Sequence, residues 1–381
     1  MGTTVTAQMF MTNTLMVFFR KSLFALITNQ DFYTDNPDVD EKSTKSIRSK
    51  YQKFTISTLY SGGWTTYSGS TLSWNTVKEV VSTLVIDTFK TYNDIIPSLS
   101  YFKSAVKDPK SDVITHAGGE LRKLVDIDAL KFVADAGAGN WVGTSYTTGM
   151  VTITTGTGEV VGSGTTFTAA MEGKPFRAAG HSKWYRVKVG SYASGTSIYI
   201  ENDSDDEASS YDGGAIGAGA TYEIQANAAL ALTPSNVAGA LNLCKIALDE
   251  QNIPEDDRWI ALPAIAQVAI NTASQFNQSL DKVHDMVVVK GKVVMAYGFV
   301  LHYVPSDWIV GNNTSGFKIP FGHKSFLTAG AGFIEPISVI LSKDNQVNHG
   351  DMIKGLYGYG FKVADERRRA GGQLFAKFAA A

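Results

Sequence analysis

The side chains that most often carry catalysis are scattered through this chain of 381 residues. No two of the histidines have the close spacing of a metal-ligand pair, and they stand at positions 116, 181, 284, 302, 323 and 349. Each histidine is therefore interpreted as a structural or exposed residue. The sequence also lacks the motifs of hydrolase nucleophiles, zinc proteases, redox dithiols and P-loops, which are G-x-S-x-G, H-E-x-x-H, C-x-x-C and Walker A. The sequence predicts no catalytic centre and no cofactor.

Two glycine-containing segments match phosphate-binding motifs only in part. In FGHKS, at 321–325, His323 separates the glycine from the lysine that a P-loop places directly after it. Gly156 and Gly158 could begin a dinucleotide-binding fingerprint, but the third glycine follows at position 162 instead of 161. Neither segment predicts a nucleotide site.

Two clusters of charge stand out. The acidic cluster could attract a hard cation such as calcium, but it lacks the spacing of an EF-hand, so we interpret it as a solvated loop without a metal; it comprises Asp203, Asp205, Asp206 and Glu207. The basic triplet Arg367, Arg368 and Arg369 directly follows Asp365 and Glu366. This local neutralisation favours ion pairs, within one chain or between copies, over contact with nucleic acid.

The overall composition excludes some classes of protein. Lysine and arginine (34) nearly balance aspartate and glutamate (36), so the chain lacks the strongly basic field of a general nucleic-acid binder. Charged residues make up only 18% while aromatic residues reach 11%, which indicates that much of the exterior becomes interface. Cys244 is the single cysteine, which excludes an intrachain disulfide and suits a reducing cytoplasm. The apolar stretch 15–27, interrupted by charge, is too short to cross a membrane.

The N-terminal quarter predicts a long hairpin. Apolar residues at helical spacing over 15–26 indicate a short amphipathic helix, and polar residues 29–50 indicate an extended arm. Segments 52–60 and 76–92 are rich in β-branched and aromatic residues and predict its two strands. The tip between them exposes large aromatic side chains, namely Trp64, Tyr67 and Trp74. They could fold back on their own domain, but we favour contact with a neighbouring subunit.

The middle of the chain changes from helix to strand. The spacing over 97–136 predicts a long helix that ends at Gly137, with one shared face formed by Leu121, Leu124, Val125 and Phe132. From about 143 to 224, short strand-like runs alternate with glycine, serine and threonine turns, as in a small all-β barrel or sandwich. Because helical patterning resumes afterwards, we interpret this block as an inserted domain.

An α/β arrangement follows. Thr233 as N-cap and Pro234 as first helical residue predict a helix, whose buried stripe comprises Val237, Leu241, Cys244 and Leu248. Residues 259–263 predict a buried strand, followed by a helix that begins at Pro263 and points Ile265, Val268 and Ala269 inward. The segment 286–289 predicts a strand that turns at 290–292 into one long apolar run, 293–304.

The last predicted strand alternates large and small residues. Tyr357, Tyr359 and Phe361 alternate with Gly358 and Gly360, so one face is almost without side chains. Such a face allows another backbone to come close.

The order of these elements resembles the major capsid proteins of tailed bacteriophages with the Hong Kong-type fold. The resemblance lies mainly in the C-terminal half, in WIALPAIAQVAI (259–270), GKVVMAYGFVLHYVPSDW (291–308), FGHKSFLTAGAGFIEP (321–336) and GLYGYGFKVADERR (355–368). It covers about 300 residues and excludes the β block.

The resemblance implies an α+β phage capsid fold with an inserted small all-β barrel or sandwich. Its parts would be an N-terminal arm (1–50), an extended hairpin loop (51–93), a peripheral domain with a long spine helix (94–142), the inserted β-rich domain (143–225), an axial α/β domain (226–340) and a C-terminal return to the peripheral domain (341–381). The insert could stabilise neighbouring subunits, decorate the outer surface or hold a partner.

The resemblance also implies a non-enzymatic coat protein that assembles into the pentamers and hexamers of an icosahedral shell around double-stranded DNA. Its partners would be copies of itself, together with portal, scaffold and decoration proteins, without sequence-specific DNA binding and without a membrane. The protein would assemble in the host cytoplasm and reside in the virion. The hairpin would lie across the adjacent subunit, in contacts that include Trp64, Tyr67, Trp74 and the arginine triplet 367–369. Glycine-rich stretches would act as hinges during maturation.

Two alternatives remain open from the sequence. A nanocompartment shell shares this fold but encloses enzymes instead of DNA. A glycan-binding virion or adhesin protein would use the β block, with Trp184 and Tyr185 stacking on sugars.

Overall fold

The structure is a computed structural model, and it describes residues 23–29, 53–60, 78–97, 109–135, 139–181, 184–202, 210–273, 287–289, 292–341, 350–363 and 365–378. The chain forms two compact units, Met1–Asp126 with Leu327–Ala364, and Ile127–Phe326 with Asp365–Ala381. The helices within the described residues are α1 (Leu23–Ile27), α2 (Pro109–Asp135), α3 (Val237–Asp249) and α4 (Ala266–Thr272).

The strands within the described residues belong to four sheets. Those of the first unit are β1 (Thr28–Asn29), β2 (Lys53–Tyr60), β3 (Lys78–Val85), β4 (Thr88–Pro97), β21 (Leu327–Ile340) and β22 (Gly350–Lys362). Those of the second unit up to residue 232 are β5 (Asn140–Val142), β6 (Thr144–Tyr146), β7 (Met150–Ile153), β8 (Glu159–Ser163), β9 (Pro175–Ala178), β10 (Tyr185–Val187), β11 (Ser197–Asn202), β12 (Ile216–Ala220), β13 (Tyr222–Ala228) and β14 (Leu230–Leu232). Its remaining strands are β15 (Arg258–Pro263), β16 (Val287–Val289), β17 (Lys292–Ala296), β18 (Phe299–Val304), β19 (Gly311–Asn312), β20 (Gly316–His323) and β23 (Gly371–Phe378).

The described part of the first unit contains a two-stranded and a four-stranded sheet. The predicted pairing of the hairpin strands is confirmed, because β2 and β3 form an antiparallel ladder from Lys53 opposite Val85 to Tyr60 opposite Lys78. The predicted extent of the second strand, 76–92, is wrong, because β3 ends at Val85 and the chain continues as β4, which pairs with β22 in the other sheet. The four-stranded sheet has the order β1-β21-β22-β4. Its β21–β22 ladder is long and antiparallel, with register shifts after Phe333.

The long helix α2 confirms the predicted element. It begins with Pro109, whose missing N–H would have no intrahelical acceptor at that position. Its predicted shared face is partly wrong, because the buried stripe contains Val125 and its fully buried C-terminal partners Ala129, Leu130 and Val133, whereas Leu124 is 40% exposed. Successive helical residues point about 100° apart, so Leu124 cannot share the centre of the stripe with Val125.

The β block of the second unit forms one antiparallel sheet of eight strands, in the order β12-β7-β8-β11-β10-β9-β13-β6. Alternate residues of its strands point into one core, which includes Val160, Phe176, Val187, Ile198 and Ile224, all almost fully buried. Because one face of a single sheet supplies this core, the sheet curves around it, as strands do in a small barrel. The block therefore has a hydrophobic core of its own.

A larger mixed sheet completes the second unit, with the order β14-β23-β20-β15-β18-β17-β16. Every residue of β15 is buried, which confirms the predicted buried strand. Two short strands pair in parallel with the same strand β23, since β5 lies beside Gly372–Leu374 and β14 beside Ala376–Phe378. The chain segments that enter and leave the β block are thus both fixed to β23.

Three predicted details of this region are wrong. The first is the beginning of α3, which starts at Val237 after a turn in which the Thr233 N–H donates to Asn236 Oδ1 (2.7 Å), so Asn236 and not Thr233 is the flanking residue. The predicted stripe of α3 is nevertheless confirmed, because its four members are buried, Cys244 completely.

The second concerns α4. It begins at Ala266, and Ile265 and Val268 are exposed while Ala269 and Ile270 are buried. The turn after Pro263 shifts the helical phase, so Ala266, Ala269 and Ile270 face the core, and of the residues predicted to point inward only Ala269 is confirmed.

The third concerns the apolar run 293–304, which is two antiparallel strands, β17 and β18. Tyr297 and Gly298, at the turn, have φ of 52° and 76°. Positive φ at both central residues is the geometry of a tight hairpin turn whose twist matches that of the strands.

Candidate functional site

The glycine-rich strand of the first unit meets the base of the hairpin. Gly360 faces the backbone of Val85, and a Cβ on Gly360 would overlap the Val85 carbonyl oxygen. Gly358 is less tightly enclosed, because the nearest atoms to an added Cβ would be side-chain atoms, Ile334 Cδ1 at 2.9 Å and Ile86 Cγ2 at 3.1 Å. The prediction that this face of β22 allows another backbone to come close is therefore confirmed.

The neighbouring strand β21 carries glycines in matching register. Gly330 is opposite Gly360, and Gly332 is opposite Gly358. A Cβ on Gly330 would lie 3.0 Å from Leu84 Cδ2, and both Leu84 and Ile86 are completely buried. The sequence analysis missed this second glycine row, although the alternation in LTAGAG (327–332) is the signal that could have indicated it. Together the two rows of glycines allow the end of β3 to pack closely against the sheet.

The predicted intersubunit residues of the hairpin tip, Trp64, Tyr67 and Trp74, lie outside the described residues. The arginine triplet lies in a 3-10 turn, Asp365–Ala370, that leads into β23. Arg368 is buried, Arg367 is half-buried and Arg369 is exposed. The backbone of this turn is fixed to the chain before the β block, because Gly139 N–H donates to Arg368 O (3.1 Å).

Asn140 strengthens this connection. Its side-chain Nδ2 donates to Arg369 O (2.7 Å) and to Gly371 O (3.0 Å). Of the three arginine side chains, only that of Arg369 is exposed to a large extent. The Arg368 side chain is therefore buried within its own chain, whereas the Arg369 side chain is accessible to a partner.

The side chains that could coordinate a metal do not form a metal site in the part of the chain that the structure describes. No group of three or more histidine, cysteine, aspartate or glutamate side chains there could hold a metal ion. His323 Nδ1 lies 2.8 Å from Ser325 Oγ, in a turn between strands. Burial raises the pKa of the Cys244 thiol far above its ordinary value, which keeps it protonated and unreactive. The acidic cluster at 203–207 lies outside the described residues.

The aromatic side chains of the β block are mainly core. Tyr185 is only 4% exposed and lies among His181 and Tyr211, at ring-centroid distances of 4.6 and 4.9 Å. Trp184 is half-buried, with the Arg177 guanidinium 4.5 Å from its ring centre. A buried Tyr185 cannot stack on a sugar, so the predicted pair does not form an aromatic platform.

His181 completes a short polar chain inside the block. The Ala178 N–H donates to His181 Nδ1 (3.3 Å), and His181 Nε2 lies 2.9 Å from the Tyr211 hydroxyl. That hydroxyl donates to Gly214 O (2.7 Å). Because Nδ1 accepts, the ring is neutral, and its burial lowers the pKa of His181.

Among the helices within the described residues, none is both long and apolar enough to cross a membrane. No protein-family model matches the sequence, and no curated protein matches it.

Solved structures do match. A chain of the capsid structure of the cyanophage P-SCSP1u is similar over 88% of this chain and 86% of its own, with 14% identity and a TM-score of 0.51. A chain of Mycobacterium phage Che8 covers 94% of this chain and 91% of its own, with 12% identity and a TM-score of 0.49. A chain of the mature capsid of bacteriophage PhiM1 covers 95% and 99%, with 9% identity and a TM-score of 0.46. The cyanophage comparison, with a TM-score above 0.5, shows that this chain has the fold of a chain in a phage capsid structure.

Proposed function

We propose that this chain is the major capsid protein of a tailed bacteriophage, which assembles in many copies into an icosahedral shell around double-stranded DNA. The observation that carries the proposal is the shared fold with the cyanophage capsid chain over 88% of the length. The confirmed β2–β3 pairing supports it, because a long two-stranded arm is suited to reach a neighbouring subunit.

In this proposal the first compact unit supplies the peripheral domain and the hairpin, with the Hong Kong-type arrangement of a spine helix beside a sheet. The second unit supplies the axial domain, which forms pentamers and hexamers, together with the inserted β block. Each contact between subunits would bury roughly 1,200 to 2,000 Å². Portal, scaffold and decoration proteins would be further partners, the shell would assemble in the host cytoplasm, and the protein would have no enzymatic activity.

The intersubunit contacts are proposed to include Trp64, Tyr67 and Trp74 of the hairpin tip and the arginine triplet 367–369. The accessibility of Arg369 supports a partner contact at that residue. Arg368 would contribute indirectly, because its carbonyl oxygen accepts the Gly139 N–H and fixes the turn that carries Arg369.

The test is negative-stain electron microscopy of the full chain expressed alone, combined with light scattering over a range of concentrations. We expect closed shells, or rings of five and six subunits. A folded monomer at every concentration, with and without co-expressed phage proteins, would contradict the proposal.

A further inference from the structure

The turn 323–326 lies where the chain leaves the second unit. Phe326 is the last residue of that unit before Leu327, the first residue of β21, which belongs to the first unit. The turn directly follows β20, which ends at His323. A change in the conformation of this turn would therefore act on one of the covalent connections between the two units.

The His323 side chain supplies a hydrogen-bond acceptor for this turn. Its Nδ1 accepts the N–H of Ser325 (3.1 Å) and lies 2.8 Å from the Ser325 hydroxyl oxygen. Its carbonyl oxygen accepts the N–H of Phe326 (2.9 Å). Because Nδ1 accepts a backbone N–H, the imidazole ring is neutral in this arrangement.

Phe326 anchors the other end of the turn. It is completely buried, and its ring lies directly against Gly371, where an added Cβ would overlap the ring. Gly371 is the first residue of β23. The turn thus joins a titratable side chain at its start to a core contact at its end.

Charged groups of both signs surround the imidazole. Arg258 on β15 is the register partner of His323, Lys324 follows it in the turn, and Asp256 and Asp257 directly precede β15. The Lys324 N–H donates to Asp257 O (3.2 Å). Burial lowers the pKa of His323, and the two cations add to this effect while the two carboxylates oppose it. The net direction is down, so the folded chain favours the neutral ring.

We propose that His323 is a pH-sensitive switch that loosens the 323–326 turn in mild acid. A proton on Nδ1 converts this atom from an acceptor to a donor, so the Ser325 N–H loses its partner and two N–H groups face each other. The protonated Nδ1 can donate only to the Ser325 hydroxyl oxygen, which requires the Ser325 backbone to move. This inference does not rest on the proposed function.

The direction of the pH dependence follows from the lowered pKa of His323. The unfolded chain, in which a histidine has its ordinary pKa of about 6.5, binds the proton more readily than the folded turn. The hydrogen bond to Nδ1 is therefore fully present above about pH 6.5 and is lost as the pH falls through the lower value of the folded chain.

The test is hydrogen–deuterium exchange with mass spectrometry on the full chain, in whatever oligomeric form it purifies. Exchange is compared at pH 7.5 and pH 5.0 and corrected for the intrinsic effect of pH on amide exchange. In the parent chain, a peptide that covers 323–327 should exchange about threefold or more faster at pH 5.0, because an amide hydrogen bond of the turn is lost. Equal corrected exchange at the two pH values would overturn the proposal.

His323→Asn keeps a side-chain acceptor but does not titrate in this range, so its corrected exchange at 323–327 should be the same at both pH values. His302→Asn is the matched control, because His302 is another half-buried histidine of the second unit, on β18. This control should keep the pH dependence of the parent chain. The proposal is wrong if the pH dependence survives in His323→Asn or disappears in His302→Asn.

The parent chain also provides an internal comparison that needs no variant. The acid effect should be concentrated at 323–327 and should be much smaller in a peptide that covers β15, which is buried along its whole length. An increase of equal size in both peptides would show general loss of stability in acid and would likewise overturn the switch.

Discussion

Gly360 lies directly against the carbonyl oxygen of Val85, where no side chain could fit. Gly360→Ala should therefore destabilise the first unit by about 2 to 3 kcal/mol, because the new methyl group must displace backbone. The measurement is the free energy of unfolding in denaturant.

Gly119→Ala provides the matched control. This exposed glycine within α2 has no atom within 4 Å of an added Cβ, so alanine should stabilise by about 0.5 to 1 kcal/mol. Equal effects of the two substitutions would show that the close contact at Gly360 does not exist.

Arg258 ties the start of β15 to the loop after α3. It is 1% exposed, its Nε donates to Pro254 O (2.7 Å), and its NH1 forms an ion pair with Asp249 Oδ1 at 2.7 Å rather than a well-aligned hydrogen bond. Arg258→Leu should cost about 3 kcal/mol, because the part-buried carbonyls of Ile253 and Pro254 lose their donor and Asp249 loses its ion pair. Asp249→Asn should cost less than about 1 kcal/mol, because Asp249 is 40% exposed. Chemical denaturation measures both, and similar losses would contradict this asymmetry.

The β block should lose stability in mild acid through His181. Its pKa is lowered in the folded chain, so the unfolded chain binds the proton more readily and stability falls as the pH drops below about 6.5. Protonation of Nδ1 would also remove the acceptor of the Ala178 N–H. His181→Asn keeps an acceptor without the titration, so its thermal midpoint should fall less between pH 7 and pH 5 than that of the parent chain. Identical pH profiles would exclude this role.

Cys244 should resist thiol reagents in the folded chain. Its side chain is completely buried and its pKa is raised, so the thiolate needed for reaction does not form. As the single cysteine, it gives an unambiguous signal: about one equivalent of aromatic disulfide reagent should react after denaturation and almost none before. Rapid reaction of the native chain would show that the core around α3 opens.

The hairpin tip should act in assembly and not in folding of the subunit. Under the proposed function, Trp64→Ala combined with Trp74→Ala should raise the concentration needed for assembly about tenfold or more, since buried aromatic anchors dominate interfaces. Sedimentation measures assembly, and circular dichroism checks the fold. Trp308→Ala, a half-buried tryptophan in the second unit, is the control for loss of an indole. Loss of folding in the tip variant alone would favour a tip folded back on its own domain.

Much of the fold could be predicted from the sequence, because hydrophobic periodicity reports which face of an element is buried. The stripe of α3, the buried strand β15 and the bare face of β22 were all predicted in this way. The errors at Leu124 and Val268 have one cause. When the predicted position of a helix face is wrong by one residue, a buried and an exposed side chain are exchanged, whatever the length of the helix.

The candidate sites were harder to predict, because they depend on contacts between distant segments. Lys318 and Phe375 are opposite each other only because β20 pairs with β23, and no local motif joins them. The turn at Tyr297 and Gly298 was missed because tyrosine rarely adopts positive φ, so a tyrosine before the glycine did not indicate a tight turn.

The two short strands that flank the β block have a practical consequence. Val142 is opposite Leu374 and Leu230 is opposite Ala376, so the entry and exit points are only two residues, about 7 Å, apart along β23. A linker of a few residues could therefore bridge them without disturbing the mixed sheet. The same two points could hold a foreign domain whose termini lie close together, so the β block is a position at which another domain could be grafted for display.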